Sequence, residues 1–203
     1  MHPPSIIVFD LGKVLVDFDY SIAGRRLAAR SNMSPAEIQK YLDHSPLLVQ
    51  YETGHINRRE FFDIVRKHTG FGGTIEEFGD FFGGIFTPIE PMIALHAELR
   101  KRGFPTYLFS NTNDLAVEDV DKKFPFYKQF DGYILSYEVK SMKPNPGMYE
   151  ALEKMTGKSG GDFLYLDDRA ENAAAGAKRG WQTIVHETSE KTRTAIEKMG
   201  LLG

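Results

Sequence analysis

The stretch that decides the fold is Ile6-Ile7-Val8-Phe9-Asp10-Leu11-Gly12-Lys13-Val14-Leu15-Val16-Asp17. Its first half is an unbroken apolar run rich in β-branched residues, which is typical of a strand buried on both faces in a parallel sheet. The run ends at the Asp10 carboxylate, shortly before a glycine. In an open α/β sheet, the carboxyl ends of the central strands border the crevice in which ligands bind. Asp10 is therefore either a reactive group in that crevice or a solvated residue that closes the strand before a turn.

The composition of the chain is that of an ordinary globular protein. Its 203 residues fit one domain with an insertion or two small domains, and 41% of them are hydrophobic. The formal net charge of −3 gives no reason to expect a nucleic acid or an anionic membrane surface as partner. The sequence has no cysteine, which excludes disulfides, thiolate nucleophiles and cysteine-ligated zinc. The apolar run near the N-terminus is too short for a signal peptide or a membrane span, so we expect a cytoplasmic protein.

The remaining sequence divides into a helical part and an alternating part. From Tyr20 to about Phe86 the pattern is helical, with capped helix starts at Ser34, Asn57 and Thr74. Helices then alternate with apolar runs that predict buried strands at 106–110, 132–136, 163–167 and 182–185. This rhythm predicts an α/β fold, a Rossmann-like doubly wound parallel sheet with right-handed crossovers. We expect residues 1–17 and 88–203 to form this core, and residues 18–87 to form an inserted all-helical cap over the carboxyl edge of the sheet.

Four groups of polar residues follow the predicted strands in order: Asp10, Ser110-Asn111-Thr112, Lys143-Pro144 and Asp167-Asp168. Taken singly, each has an ordinary explanation, such as a helix cap or a surface loop. Together they lie at one edge of the sheet and can converge. Converging carboxylates repel unless a cation lies between them, and oxygen ligands alone suit Mg²⁺. Asp10 is then placed to attack phosphorus, while the lysine and the Ser110 hydroxyl contact phosphoryl oxygens.

With these motifs the sequence resembles the haloacid dehalogenase superfamily, in its phosphatase branch with a small helical cap. The matching segments are Phe9-Asp10-Leu11-Gly12, Ser110-Asn111-Thr112-Asn113, Lys143-Pro144-Asn145-Pro146-Gly147-Met148-Tyr149 and Leu166-Asp167-Asp168. The resemblance implies a phosphoric monoester hydrolase that forms an aspartyl-phosphate on its nucleophile, Asp10. It implies a Mg²⁺ cofactor held by Asp10, the Gly12 carbonyl, Asp168 and, through water, Asp167. The phosphate of a small-molecule ester would be held by Ser110, Asn111 and the catalytic Lys143.

The sequence departs from the superfamily's phosphatases at Gly12, where they carry a second Asp that protonates the leaving alcohol. Loss of a positioned acid typically lowers the rate by about 10²–10⁴-fold. Three explanations are open: an easily expelled leaving group, a proton donor from the cap or its hinge (Asp17, Glu52 or His55), or a weakly active or non-catalytic binding protein. The same Asp-Leu-Gly pattern occurs in bacterial proteins resembling glucose-1-phosphate phosphatases, which favours the first two and suggests a sugar phosphate. A 2-haloacid dehalogenase also lacks the acid, but it has no use for the metal pair Asp167-Asp168.

Substrate choice is predicted to lie in the cap. Tyr51, Glu52 and His55 belong to the segment Gln50-Tyr51-Glu52-Thr53-Gly54-His55, a predicted loop that is either an ordinary connection or a specificity loop. A small cap that closes over a cleft suits a soluble metabolite better than a phosphoprotein. The sequence identifies neither the ester nor the oligomeric state.

Overall fold

A parallel sheet forms the centre of the molecule, which a computed structural model describes over residues 2–42 and 45–202. The strands along the chain are β1 (Ile6–Phe9), β2 (Val16–Phe18), β3 (Phe86–Pro88), β4 (Thr106–Ser110), β5 (Gly132–Leu135), β6 (Phe163–Asp167) and β7 (Gln182–Val185). Five of them make one sheet in the spatial order β5-β4-β1-β6-β7. β1 is its middle strand, and Ile7 pairs with Thr106 of β4 on one side and with Leu164 of β6 on the other.

Alternate residues of β1 point into two separate apolar layers, one on each face of the sheet. Ile7 and Phe9 belong to one layer, whereas Ile6 and Val8 belong to the other. The helices that follow β3 along the chain are α6 (Glu90–Lys101), α7 (Asp114–Lys123), α8 (Ser136–Val139), α9 (Pro146–Thr156), α10 (Ala170–Lys178) and α11 (Ser189–Lys198), with 3₁₀ turns at Pro125–Gln129 and Gly160–Asp162. A strand made only of apolar residues buries all of its side chains only in a sheet that is covered on both sides. The predicted doubly wound α/β fold is confirmed.

In the described residues between β2 and β3 the structure has five helices, which we call the helical insertion: α1 (Tyr20–Ala28), α2 (Pro35–Leu42), α3 (Pro46–Glu52), α4 (Arg58–Thr69) and α5 (Ile75–Gly83). Asn57 and Thr74 form complete capping boxes at the starts of α4 and α5, as their sequences predict. The insertion has an apolar cluster of its own, rich in phenylalanine. The domain boundaries at residues 17 and 88 stay a prediction, and they fall in the antiparallel pair β2-β3, where Asp17 pairs with Thr87.

Three local features differ from the sequence prediction. The strands β2 and β3 have three residues each, which is too short for an apolar period to be recognised. Residues 50–52 are helical, because Ser45 caps α3 and a proline occupies its first turn. The strand predicted at 132–136 ends one residue earlier, and Ser136 begins α8 instead.

Candidate active site

Asp10 lies at the carboxyl end of β1. Its N–H donates to the Leu166 carbonyl at 2.9 Å, which extends the pairing of β1 with β6 by one residue. The N–H of Leu11 turns back and donates to Asp10 Oδ1 at 2.7 Å. Asp10 is 8% exposed, so its carboxylate borders the crevice while it remains close to the core. The apolar run at 6–9 thus holds a carboxylate at the sheet edge where ligands bind.

Lys143 places a buried ammonium group beside Asp10. Its Nζ lies 2.9 Å from Asp10 Oδ1 and 2.7 Å from Asp167 Oδ2, and it donates to the Phe109 carbonyl at 2.8 Å. The side chain is 1% exposed. Asn111 orients this loop, because its Oδ1 accepts from the Lys143 N–H at 2.7 Å and its Nδ2 donates to the Lys143 carbonyl at 3.0 Å. Asn111, which is predicted to bind phosphate, therefore also positions Lys143.

Asp167 is completely buried, and both of its oxygens accept hydrogen bonds. Oδ1 accepts from the Arg169 N–H at 2.8 Å and from Asn172 Nδ2 at 3.0 Å. Oδ2 accepts from Lys143 and from the Tyr165 hydroxyl. Burial alone would raise the pKa of Asp167, but the charge of Lys143 and these hydrogen bonds outweigh burial and hold the pKa below its usual value. Asp167 is therefore an anion whose lone pairs are already engaged, which suits contact with a metal through water.

Asp10, Asp167 and Asp168 bring one carboxylate oxygen each within 4.8 Å of one another. Burial raises the pKa of Asp10 to about 7 against the opposing charge of Lys143, and the other two carboxylates add to the rise. Burial also raises the pKa of Asp168. Three carboxylates around one ammonium group leave an excess of negative charge, and oxygen atoms alone are the ligand set that Mg²⁺ prefers. The residues present therefore fit a magnesium ion.

A cleft of about 590 Å³ opens over these groups. Gly12, Ser110 and Asn111 line it on the side of the sheet. The Ser110 hydroxyl lies 3.4 Å from the Asn111 carbonyl, too far for a strong hydrogen bond. The helical insertion lines the opposite side, with Tyr20, Leu48, Val49 and Glu52. The cleft thus lies between the carboxyl edge of the sheet and the helical insertion.

The three specificity candidates of the helical insertion have different surroundings. Among the residues that the structure describes, those lining the cleft include Glu52 but neither Tyr51 nor His55. Tyr51 is buried, stacks on Phe61 with 4.4 Å between ring centroids, and donates its hydroxyl to Asp114. His55 is exposed. Roles of all three in substrate choice stay a prediction.

Two further residues support the site and were not singled out from the sequence. The Oγ of buried Ser136 accepts from the Thr112 N–H at 2.8 Å and donates to the Glu52 carbonyl at 2.6 Å. Asn172 holds Asp167, as described above. Ser136 directly follows a buried strand, and a polar residue in that position is a signal that sequence analysis could have used. Nothing in the sequence separates Asn172 from any other residue in the first turn of a helix.

Comparison of the sequence with known protein families identifies the family of this chain. The model of the haloacid dehalogenase-like hydrolases matches residues 4–180. The chain belongs to this family. Its membership confirms the resemblance carried by the four motifs and identifies the chain as a hydrolase. No helix within residues 2–42 and 45–202 has both the length and the apolar character needed to cross a membrane.

Three known proteins, two of them described as members of the haloacid dehalogenase-like (HAD) family, resemble the chain over nearly its whole length. The D-ribitol-5-phosphate phosphatase of Bacteroides thetaiotaomicron is 25% identical over 199 residues, which covers 94% of this chain and 95% of that protein. A HAD family enzyme of the same organism, solved in complex with magnesium and inorganic phosphate, has a TM-score of 0.80 at 23% identity and covers 91% of this chain and 94% of its own. A protein of Porphyromonas gingivalis, described as a predicted HAD-like family hydrolase, has a TM-score of 0.83 at 24% identity, with 98% of both chains covered. These structural matches confirm the fold.

Proposed function

We propose that the chain is a Mg²⁺-dependent phosphatase that hydrolyses a small phosphorylated metabolite, such as a sugar or polyol phosphate, through an aspartyl-phosphate. The observation that carries this proposal is the buried Lys143 ammonium, which lies between Asp10 and Asp167 at the floor of the cleft. A fixed cation, a cluster of carboxylates that fits a metal and a carboxylate nucleophile are what covalent phosphoryl transfer requires. The likeness to a D-ribitol-5-phosphate phosphatase supports the substrate class.

In the proposed reaction the Asp10 carboxylate attacks phosphorus, and the alcohol leaves with the electron pair of the ester bond. Water then hydrolyses the aspartyl-phosphate. Lys143 and the Ser110 hydroxyl would hold phosphoryl oxygens, together with Asn111, and all of them border the cleft. Because Lys143 is fixed by hydrogen bonds before the substrate arrives, its charge stabilises the transition state without reorganisation.

The proposed metal ligands are Asp10, Asp168, the Gly12 carbonyl and, through water, Asp167. Mg²⁺ bound there would supply positive charge that brings the anionic phosphoryl group and the anionic nucleophile together. The hydrogen bonds that already engage both oxygens of Asp167 support its indirect role. The raised pKa values of Asp10 and Asp168 support direct roles, because a divalent cation would offset both the burial and the repulsion between carboxylates that raise them.

The shape of the cleft supports a small substrate. The helical insertion covers the carboxyl edge of the sheet, and the space between them is about 590 Å³. That volume lies in the range of ordinary small-molecule sites. We therefore expect a small phosphate ester rather than a phosphorylated protein as substrate.

A release assay tests the proposal. Wild-type protein is incubated with a panel of sugar, polyol and acyl phosphates and nucleotides, with and without Mg²⁺, and inorganic phosphate is measured. We expect Mg²⁺-dependent release from at least one small ester, and a loss of more than about 10³-fold in Asp10→Asn, which lacks the nucleophile. Asp63→Asn, an exposed carboxylate of α4, is the matched control and should retain full activity. Absence of release from every ester would overturn the proposal in favour of a non-catalytic binding protein.

A further inference from the structure

At Gly12, where the family's phosphatases carry their general acid, the side chain of Phe18 fills the space that an acidic side chain would need. A Cβ added to Gly12 would lie 2.8 Å from Cε1 of Phe18, so the ring of Phe18 occupies the space of the missing side chain. The Lys13 ammonium in turn lies 4.7 Å over that ring. If the chain is a phosphatase as proposed above and acts on an alkyl ester, the leaving oxygen needs a proton from another group that borders the cleft.

Two of the three donors suggested by the sequence are in the wrong place. Asp17 is more than half exposed, and its side chain pairs with Lys13. The hydrogen bond from Lys13 holds the pKa of Asp17 below its usual value, which is opposite to what a proton donor needs. His55 is exposed and is not among the described residues that line the cleft.

Glu52 borders the same cleft as Asp10, and its backbone is tied to the phosphate-binding loop. Its carbonyl accepts from Ser136 Oγ at 2.6 Å, and Ser136 Oγ itself accepts from the Thr112 N–H at 2.8 Å. A single hydroxyl therefore links the end of α3 to the loop that begins at Ser110. This contact fixes the position of Glu52 relative to the phosphate site even though the residue belongs to the helical insertion.

We propose that Glu52 is the general acid and base of the reaction, in place of the Asp that Gly12 lacks. As Asp10 attacks phosphorus and the ester bond breaks, the leaving oxygen takes the proton of the Glu52 carboxyl group, which becomes a carboxylate. As water attacks the aspartyl-phosphate, that carboxylate takes a proton from the water. Asp10 and the protonated Glu52 are thereby restored, and inorganic phosphate is released.

The surroundings of Glu52 favour a carboxyl group that is protonated near neutral pH. No hydrogen bond or ion pair joins its carboxylate to another residue in the part of the chain that the structure describes. Burial alone raises the pKa of Glu52 to about 7. A donor with this pKa gives up its proton readily and recovers it at the pH of the cell.

The titratable groups around Glu52 lie on the cleft walls and on the elements that pack against α3, which are α4 and α8. Most of the charged ones already have partners of opposite charge, so they do not offset the desolvation of Glu52. They are Lys13 with Asp17, Lys143 with Asp10 and Asp167, Arg169 with Glu171, Arg58 with Asp114 and Glu118, and Arg59 with Asp63. Further titratable groups on these walls and elements are Asp168 across the cleft, Tyr20 on α1, Glu138 next to Tyr137 on α8, and Glu60, Arg66, Lys67 and His68 on α4.

The test compares leaving groups of similar size in wild-type protein and Glu52→Gln. The substrates are phenyl, para-nitrophenyl and dinitrophenyl phosphate, whose phenols leave with increasing ease, and an alkyl phosphate that the wild-type protein turns over. We expect kcat of Glu52→Gln to fall by about 10²–10⁴-fold on the alkyl ester and to stay within about threefold of wild type on the dinitrophenyl ester, which needs no acid. The dependence of rate on leaving-group pKa should steepen. The alkaline limb of the wild-type kcat/KM profile, near pH 7, should disappear in the variant.

Asp63→Asn is again the matched change from carboxylate to amide in the helical insertion, and it should match wild type on every substrate. Retained turnover of the dinitrophenyl ester shows that Glu52→Gln is folded. An equal loss on all leaving groups, or an unchanged alkaline limb, would overturn the assignment of Glu52 while the phosphatase proposal stands. A wild-type protein without turnover of any ester would overturn both.

Discussion

His96 on α6 shows how a single buried residue outside the site connects stability to pH. The ring is completely buried, stacks on Phe130 with 4.1 Å between centroids, and shares a hydrogen bond with the Thr106 hydroxyl at 3.0 Å. Burial, assisted by the charge of Arg100, lowers the pKa of His96 to about 4. Its other ring nitrogen, Nδ1, has no partner among the described residues, so nothing offsets the desolvation of a charged imidazole.

Between pH 6.5 and 4 the unfolded chain therefore binds a proton at His96, whereas the folded chain does not. Stability contributed by the neutral ring is complete above about pH 6.5 and is lost as the pH falls toward 4. We expect the free energy of unfolding of wild type to fall over this range by up to about 3 kcal/mol more than that of His96→Phe, which has nothing to protonate. Urea denaturation at several pH values measures the two slopes. Identical slopes would show that His96 is not buried as a neutral ring.

Single residues also set the limit of what the sequence could predict about the site. The position of a polar residue at the carboxyl end of a strand is enough to predict that Asp10, Ser110 and Asp167 lie at one edge, because carboxyl ends of parallel strands share that edge. The position of Lys143 Nζ between two carboxylates, in contrast, depends on the conformation of a loop and on its hydrogen bonds with Asn111. No local sequence pattern predicts these contacts.

At the scale of elements, the turn after α3 brings the helical insertion onto the core. Gly54 in this turn has φ +64°, and a Cβ on it would lie 2.1 Å from the Tyr137 carbonyl oxygen. Close by, Tyr51 of α3 and Arg58 of α4 both bind Asp114 in the first turn of α7. These contacts explain why α3 was missed as a helix: its seven residues are held in place by tertiary contacts rather than by their own apolar period.

Replacing Gly54 by alanine should push α3 away from α8. Gly157 is a matched control, because it has φ +66° but a Cβ on it would meet nothing within 4 Å. Both variants carry the strain of alanine in the left-handed region, about 1–2 kcal/mol. We expect Gly54→Ala to lose about 1–3 kcal/mol more than Gly157→Ala in urea denaturation, from the added clash, and to lose turnover because Glu52 moves with α3. Equal losses in the two variants would show that the turn adapts without moving α3.

At the scale of the whole molecule, the site is assembled from segments that only the folded chain brings together. Asp10 comes from the first strand, Lys143 from the loop before α9, and Asp168 from the end of β6. The alternation of strands and helices was enough to predict the sheet. The order β5-β4-β1-β6-β7, which makes β1 the neighbour of both β4 and β6, was not, because pairing between distant strands leaves no mark in a local pattern.

A metal ion that needs all of these segments should stabilise the entire fold. Because the unfolded chain does not hold Asp10 and Asp168 together, the proposed Mg²⁺ would bind the folded state selectively, and at 100 times its Kd it should add about 2.7 kcal/mol to the free energy of unfolding. For a chain of this size the corresponding rise in Tm is roughly 5–10 °C. Thermal unfolding monitored by circular dichroism measures this rise without any substrate.

Asp168→Asn should abolish the rise and Asp63→Asn should retain it, because only the former removes an oxygen from the cluster of carboxylates. A Mg²⁺-dependent rise that survives Asp168→Asn would place the ion elsewhere on the protein and separate the carboxylate cluster from metal binding.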